Sequence, residues 1–166
     1  MKIKNQIISA AILFSSLPLY AQSNLSVSLT LPVITEGQYH RPYTAVWIET
    51  NKGKHVKTLA LWTEPKGQKW LKDIRRWWRK IGRSDAQWVD GISSATRPAG
   101  TYDINWDLTD EQNNQIKAGD YRVFIEVVRE HGGRNLLKHS FTLNKDFTTR
   151  LKATAETGPI KITFNK

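Results

Sequence analysis

A two-residue apolar period dominates this sequence and confines it to sheet-rich folds. Leu25, Val27, Leu29 and Leu31 alternate with serine and threonine, so all four apolar side chains fall on one face of a strand. Strand-forming runs follow at Tyr43 to Thr50, Val56 to Trp62, Thr101 to Trp106, Tyr121 to Glu130, 135 to 143 and Ile160 to Phe164. Asn51-Lys52-Gly53 and His131-Gly132-Gly133 have the composition of turns between successive strands. About seven short strands with turns of this kind predict a mainly β fold, an antiparallel β-sandwich of immunoglobulin-like kind.

The period changes once. Trp70, Ile74, Trp77, Trp78 and Ile81 recur at the spacing of one helical face, while Lys72, Arg75, Arg76, Arg79 and Lys80 fill the other. This predicts one inserted amphipathic helix, closed by Gly82, with its tryptophans packed on the sheet and its arginines in solvent. Ser84 to Gly100 then reads as a polar loop. No repeat or low-complexity tract divides the chain, and 39% hydrophobic residues supply a core for a single domain over 22–166.

Residues 1–21 read as a secretory signal peptide: Lys2 and Lys4, an apolar stretch from Ile7 to about Leu19, and the small Ala21. That stretch is shorter than the roughly 20 residues a bilayer crossing needs, so the processed chain is expected not to span the membrane. The absence of cysteine excludes disulfides, thiolate nucleophiles and thiolate metal sites, and an exported chain without disulfides suits the bacterial periplasm.

The net charge is +10, or +8 without Lys2 and Lys4. Eleven of the basic residues lie between Lys52 and Arg83, beside only Glu64 and Asp73, which makes the helix a candidate docking face for an anionic partner. Export argues against nucleic acid as that partner. His40, His55, His131 and His139 lack paired metal-ligand spacing. Asp103, Asp107, Asp110, Glu111 and Asp120 gather around a turn without the order of a calcium loop. No phosphate loop, serine-nucleophile elbow or zinc-protease motif is present.

The string Asp90-Gly91-Ile92-Ser93-Ser94-Ala95-Thr96, followed by Arg97-Pro98, is the most informative in the chain. By composition alone it suits a Ser/Gly-rich connection with an Asx-type turn. It also resembles the acceptor motif of proteins modified by the FAD:protein FMN transferase, met here by Asp90, Ser93, Ser94, Ala95 and Thr96, with Ser94 where glycine is commoner. The resemblance implies that the Thr96 hydroxyl carries FMN as a phosphodiester, that small neighbours leave the segment exposed and flexible for the transferase, and that Arg97 neutralises the phosphate.

Val56-Lys-Thr-Leu59, the tryptophan-rich helix, Ala95-Thr-Arg-Pro98, Gly100-Thr-Tyr102, Asn105-Trp-Asp107, Ala118-Gly-Asp-Tyr121 and Glu126-Val-Val-Arg-Glu130 extend the likeness. In that order they resemble a family of predicted periplasmic proteins, domain of unknown function 2271. The resemblance implies a flavin-dependent electron carrier outside the cytoplasm, with a PepSY-type membrane redox protein as partner and ferric iron or a ferric chelate as acceptor. The alternative left open by the residues is a non-catalytic binding module that uses the basic helix face.

Overall fold

The computed structural model describes residues 23–64 and 68–166, so the signal peptide read at 1–21 lies outside the described residues. Two sheets face each other. The first has strand order β5-β1-β9-β8, built from β1 (Asn24–Leu31), β5 (Gly100–Trp106), β8 (Phe147–Leu151) and β9 (Ile160–Asn165). The second has order β4-β3-β2-β6-β7, from β2 (Tyr43–Thr50), β3 (His55–Thr63), β4 (Ser93–Ala95), β6 (Asp120–Val128) and β7 (Arg134–Thr142). All pairings are antiparallel except β3 with β4. The sandwich is therefore present, with all seven expected strands; β4 and β8 are additional.

The alternating face of β1 does what its period dictates. Leu25, Val27, Leu29 and Leu31 are all buried, packed with Val46, Ile48, Val123, Ile125 and the apolar side chains of β9 between the sheets. In β2 and β6 the alternation disappears because both faces are covered. Tyr43, Ala45, Trp47 and Phe124 form a second core on the outer side of the second sheet, beneath Leu71, Ile74, Trp77, Ile81 and Val89. An unbroken apolar run is what burial on two faces requires, and the chain has three layers: sheet, sheet and a helical cover.

That cover is not the single helix expected from the sequence. It comprises a 3₁₀ segment, Gln68–Asp73, then α1 (Arg75–Lys80), a 3₁₀ turn at Gly82–Ser84 and α2 (Ala86–Ile92). The segment with three residues per turn, followed by a non-helical Ile74 (φ −75°, ψ 69°), rotates Trp70 away from the face shared by Ile74, Trp77 and Ile81. Trp70 is consequently 40% exposed, while Trp77 and Ile74 are fully buried. Gly82 is required by packing as well as chain direction, since a Cβ there would overlap the ring of Trp77.

Two buried carboxylates fasten α1 to the sheet. The helix starts at Ile74 without a side-chain cap, and Glu126 of β6 takes that role: it accepts hydrogen bonds from the backbone N–H of Arg76 (3.1 Å) and Trp77 (3.0 Å) and from Arg134 Nε (2.7 Å). Glu49 of β2 accepts from Arg76 Nη2 (2.9 Å) and Trp47 Nε1 (2.9 Å). Arg76 also lies over the Phe124 ring, 4.2 Å from its centroid, so it belongs to the packed layer and not to the solvated face expected for it. Arg75, Arg79 and Lys80 do face solvent.

Candidate functional site

The acceptor-like string begins inside α2 and ends just beyond β4. Asp85 caps α2 by accepting from Trp88 N at 2.9 Å, a short polar side chain satisfying an otherwise unpaired N–H of the first turn. Asp90 lies in the last turn and is exposed. Ser93 closes the helix, its Oγ donating to Val89 O at 2.6 Å. The chain then runs parallel to β3, with Ser93, Ser94 and Ala95 beside Leu61, Trp62 and Thr63. Thr96 follows, its backbone N–H donating to Thr63 O at 3.1 Å.

The expected exposed, flexible loop is therefore a helix end and a short edge strand. Ser94, Ala95 and Arg97 face solvent, whereas Thr96 is only 7% exposed. The reason lies in the parallel return: coming back from the helical cover, the chain finds the unpaired edge of β3 and satisfies its own backbone groups there.

The aromatic groups near the string are not those suggested by sequence proximity. Trp88 turns into the second core, stacked on Trp77 with ring centroids 6.3 Å apart, and edge-on to His55 at 6.2 Å. Trp62, the register partner of Ser94, is buried between the sheets, its ring centroid 5.7 Å from the Arg97 guanidinium and edge-on to Tyr102 at 5.3 Å. Tyr102 donates its hydroxyl to Pro98 O at 2.9 Å, which pins the chain just after the string.

A second concave feature lies where the helical cover meets the β6–β7 turn. It is a cleft of about 350 Å³ lined by Tyr43, Trp70, Arg75, Arg129 and His131 among others. Burial and the nearby Glu64 carboxylate push the Tyr43 hydroxyl up to about 12. Arg129 is held from behind by the buried Glu156 (Nε to Oε2 2.8 Å), while Arg75 projects freely from α1. Sequence reasoning missed this cleft because it depends on the exposure of Trp70.

Of the turn acids, Asp107 is held by an internal cation, while Asp110 accepts from the backbone N–H groups of Gln112 and Asn114. Lys57 of β3 places its ammonium against Asp107 Oδ1 (3.4 Å), Asn113 Oδ1 (3.5 Å) and the Thr109 hydroxyl. The Thr109 hydroxyl, with its backbone N–H and the Lys57 charge, holds the Asp107 carboxyl below the usual carboxylate range. Among the described residues no group of three or more His, Asp or Glu side chains is arranged to hold a metal ion. His40 and His131 do come together, ring centroids 5.5 Å apart, with Glu130 beside both.

Burial of His55 makes the stability of the fold depend on pH. Desolvation lowers its pKa from 6.5 to about 4, so the unfolded chain binds a proton between these values and the folded chain does not. Stability is full above pH 6.5 and falls toward pH 4, by about 3 kcal/mol for a shift of this size. Urea midpoints measured across that window should fall in the wild type and fall distinctly less in His55→Gln.

Among the described residues no helix is long and apolar enough to cross a membrane. Neither the curated proteins nor the solved structures contain a match to this chain. A family described as a predicted periplasmic protein, DUF2271, matches residues 24–159. That span runs from β1 through all of the second sheet, the helical cover and the acceptor-like string: the chain belongs to the DUF2271 family of predicted periplasmic proteins.

Proposed function

We propose that the protein carries one FMN on Thr96, joined through a phosphodiester, and serves as a carrier in extracytoplasmic electron transfer. A FAD:protein FMN transferase installs the flavin, a PepSY-type membrane redox protein supplies electrons, and ferric iron or a ferric chelate receives them. The observation that carries this reading is the placement of the Asp90–Thr96 string. Its residues run along one edge of the second sheet, through a helix end and a three-residue strand to Thr96 just beyond it. The edge leaves Ser94, Ala95 and Arg97 open to a modifying partner.

The flavin, once attached, contributes the capacity to take up and release electrons one or two at a time. The chain's own residues hold it in place. Thr96 provides the point of attachment, and the exposed Arg97 beside it faces the phosphodiester charge. A covalent link prevents loss of the cofactor outside the cell.

Co-expression with a periplasmic FAD:protein FMN transferase should give protein whose intact mass rises by one FMN and whose yellow colour survives denaturation. Thr96→Ala should abolish both, because alanine removes the attacking oxygen. Ser93→Ala, Ser94→Ala and Asp90→Ala should lower the yield without moving the attachment site. Wild-type protein that stays colourless beside a known acceptor modified in the same cells would end the flavin reading.

The binding-module reading retains one specific support, the cleft between Trp70, Arg75 and the β6–β7 turn. It would suit an anionic partner paired with Arg75, an apolar part of that partner resting on the exposed indole of Trp70.

A further inference from the structure

Thr96 is 7% exposed, whereas the transferase must bring its hydroxyl oxygen into line with a phosphorus atom of FAD held in another protein's site. In that step the Thr96 Oγ–P bond forms, the P–O bond joining the FMN phosphorus to the AMP half of FAD breaks, and AMP leaves. The hydroxyl proton passes to a base of the transferase. Seated against β3 with its N–H bonded to Thr63 O, Thr96 presents little of itself to that approach. Resting on the flavin reading above, we infer that Thr96 is modified only after β4 has come off the edge of β3, and that the population of this released state sets the rate of flavin attachment.

The architecture around β4 favours such a release. It is three residues long, the only parallel strand among the described residues, and paired on one side alone. Short edge elements with few buried contacts open at far lower cost than the strands of a core. Ser94 and Ala95 contribute nothing to either core. Anchors stand on both sides: Val89 of α2, buried in the second core, and Pro98, whose carbonyl receives the Tyr102 hydroxyl. Between them, once Ile92 leaves its contact with the second core, the segment from Ile92 to Arg97 can bow outward by roughly 10 Å when extended at about 3.3–3.6 Å per residue. Gly91 has open space around its Cα, so the helix end can unwind without steric conflict. Release also frees the Thr96 N–H from Thr63 O, which gives the event an amide-exchange signature.

The chain has no cysteine, so a staple can be tested cleanly. Thr63→Cys with Ala95→Cys places the only two thiols on directly neighbouring positions of β3 and β4. With purified transferase and FAD, the oxidised pair should incorporate FMN at least about tenfold more slowly than the same protein reduced, because the competent fraction is removed. Val89→Ala, outside the acceptor string, should loosen α2, speed exchange of the Thr96 amide, and raise the modification rate by the same factor. Equal rates for the oxidised and reduced pair would overturn the inference. So would a Val89→Ala protein whose Thr96 amide exchanges faster while flavin attachment does not. Should the reduced pair itself be inert, the Val89 comparison decides alone. Wild-type protein that takes up no flavin at all would instead remove the functional reading on which the inference rests.

Discussion

Glu126→Ala should lower the unfolding free energy by about 3–5 kcal/mol, the cost of removing one partner from a buried, hydrogen-bonded ion pair. Glu126 is fully buried and serves three donors at once: the N–H groups of Arg76 and Trp77, and the Arg134 side chain. Without it, the N–H groups of Arg76 and Trp77 lose their acceptor, and Arg134 loses the carboxylate it is paired with. Glu126→Gln keeps an oxygen for the helix but cannot pair with Arg134, so it should fall between the wild type and alanine. Urea unfolding with an unchanged slope would measure the loss. A cost below about 1 kcal/mol, the ordinary worth of one neutral hydrogen bond, would mean that the carboxylate does not hold the cover in place. Arg75→Glu and Arg79→Glu should be nearly silent, whereas Arg76→Glu sets two carboxylates against each other at Glu49 and should be severely destabilising.

The second large effect belongs to Trp77. Trp77→Ala empties the centre of the second core, where the ring stacks on Trp88 and its Nε1 donates to Thr58 Oγ1 at 3.1 Å. The expected cost is about 3–5 kcal/mol, typical of truncating a fully buried aromatic side chain. Trp70→Ala should change stability by no more than about 0.5 kcal/mol, as substitutions at exposed positions do. The comparison tests how the helical cover is oriented. If Trp70 proved the costly one, the cover would be packed through its other face.

Much of this fold was legible because the sandwich rests on local periodicity. Alternation in β1 and the dense apolar runs of β2 and β6 each announced a strand. The missed strands are those where neighbours, not composition, create the pairing. β4 is Ser-Ser-Ala and becomes a strand only because β3 offers a free edge. β8, Phe-Thr-Thr-Arg-Leu, depends on β9 in the same way. α2 was hidden by its length and by Gly91, although Asp85 followed three residues on by Trp88 carried a capping signal. The acceptor-like string could be read to the residue, but its burial could not, since that is set by Thr63 some thirty positions earlier in the chain. Charged residues inside apolar runs were the overlooked signal. Glu49 follows Val-Trp-Ile and Glu126 sits within Val-Phe-Ile-Glu-Val-Val, positions where a carboxylate survives only with partners arriving from another layer.

Lys57 has a different kind of consequence. Turns rich in aspartate and asparagine are commonly drawn together by a dissolved divalent ion, and their shape then follows the concentration of that ion. Outside the cytoplasm this concentration tracks the medium and is depressed wherever strong chelators circulate. Here the central charge is bonded to β3 and cannot be extracted. The segment from Asp107 to Asn113 therefore takes its central positive charge from the chain itself and needs none drawn from the medium.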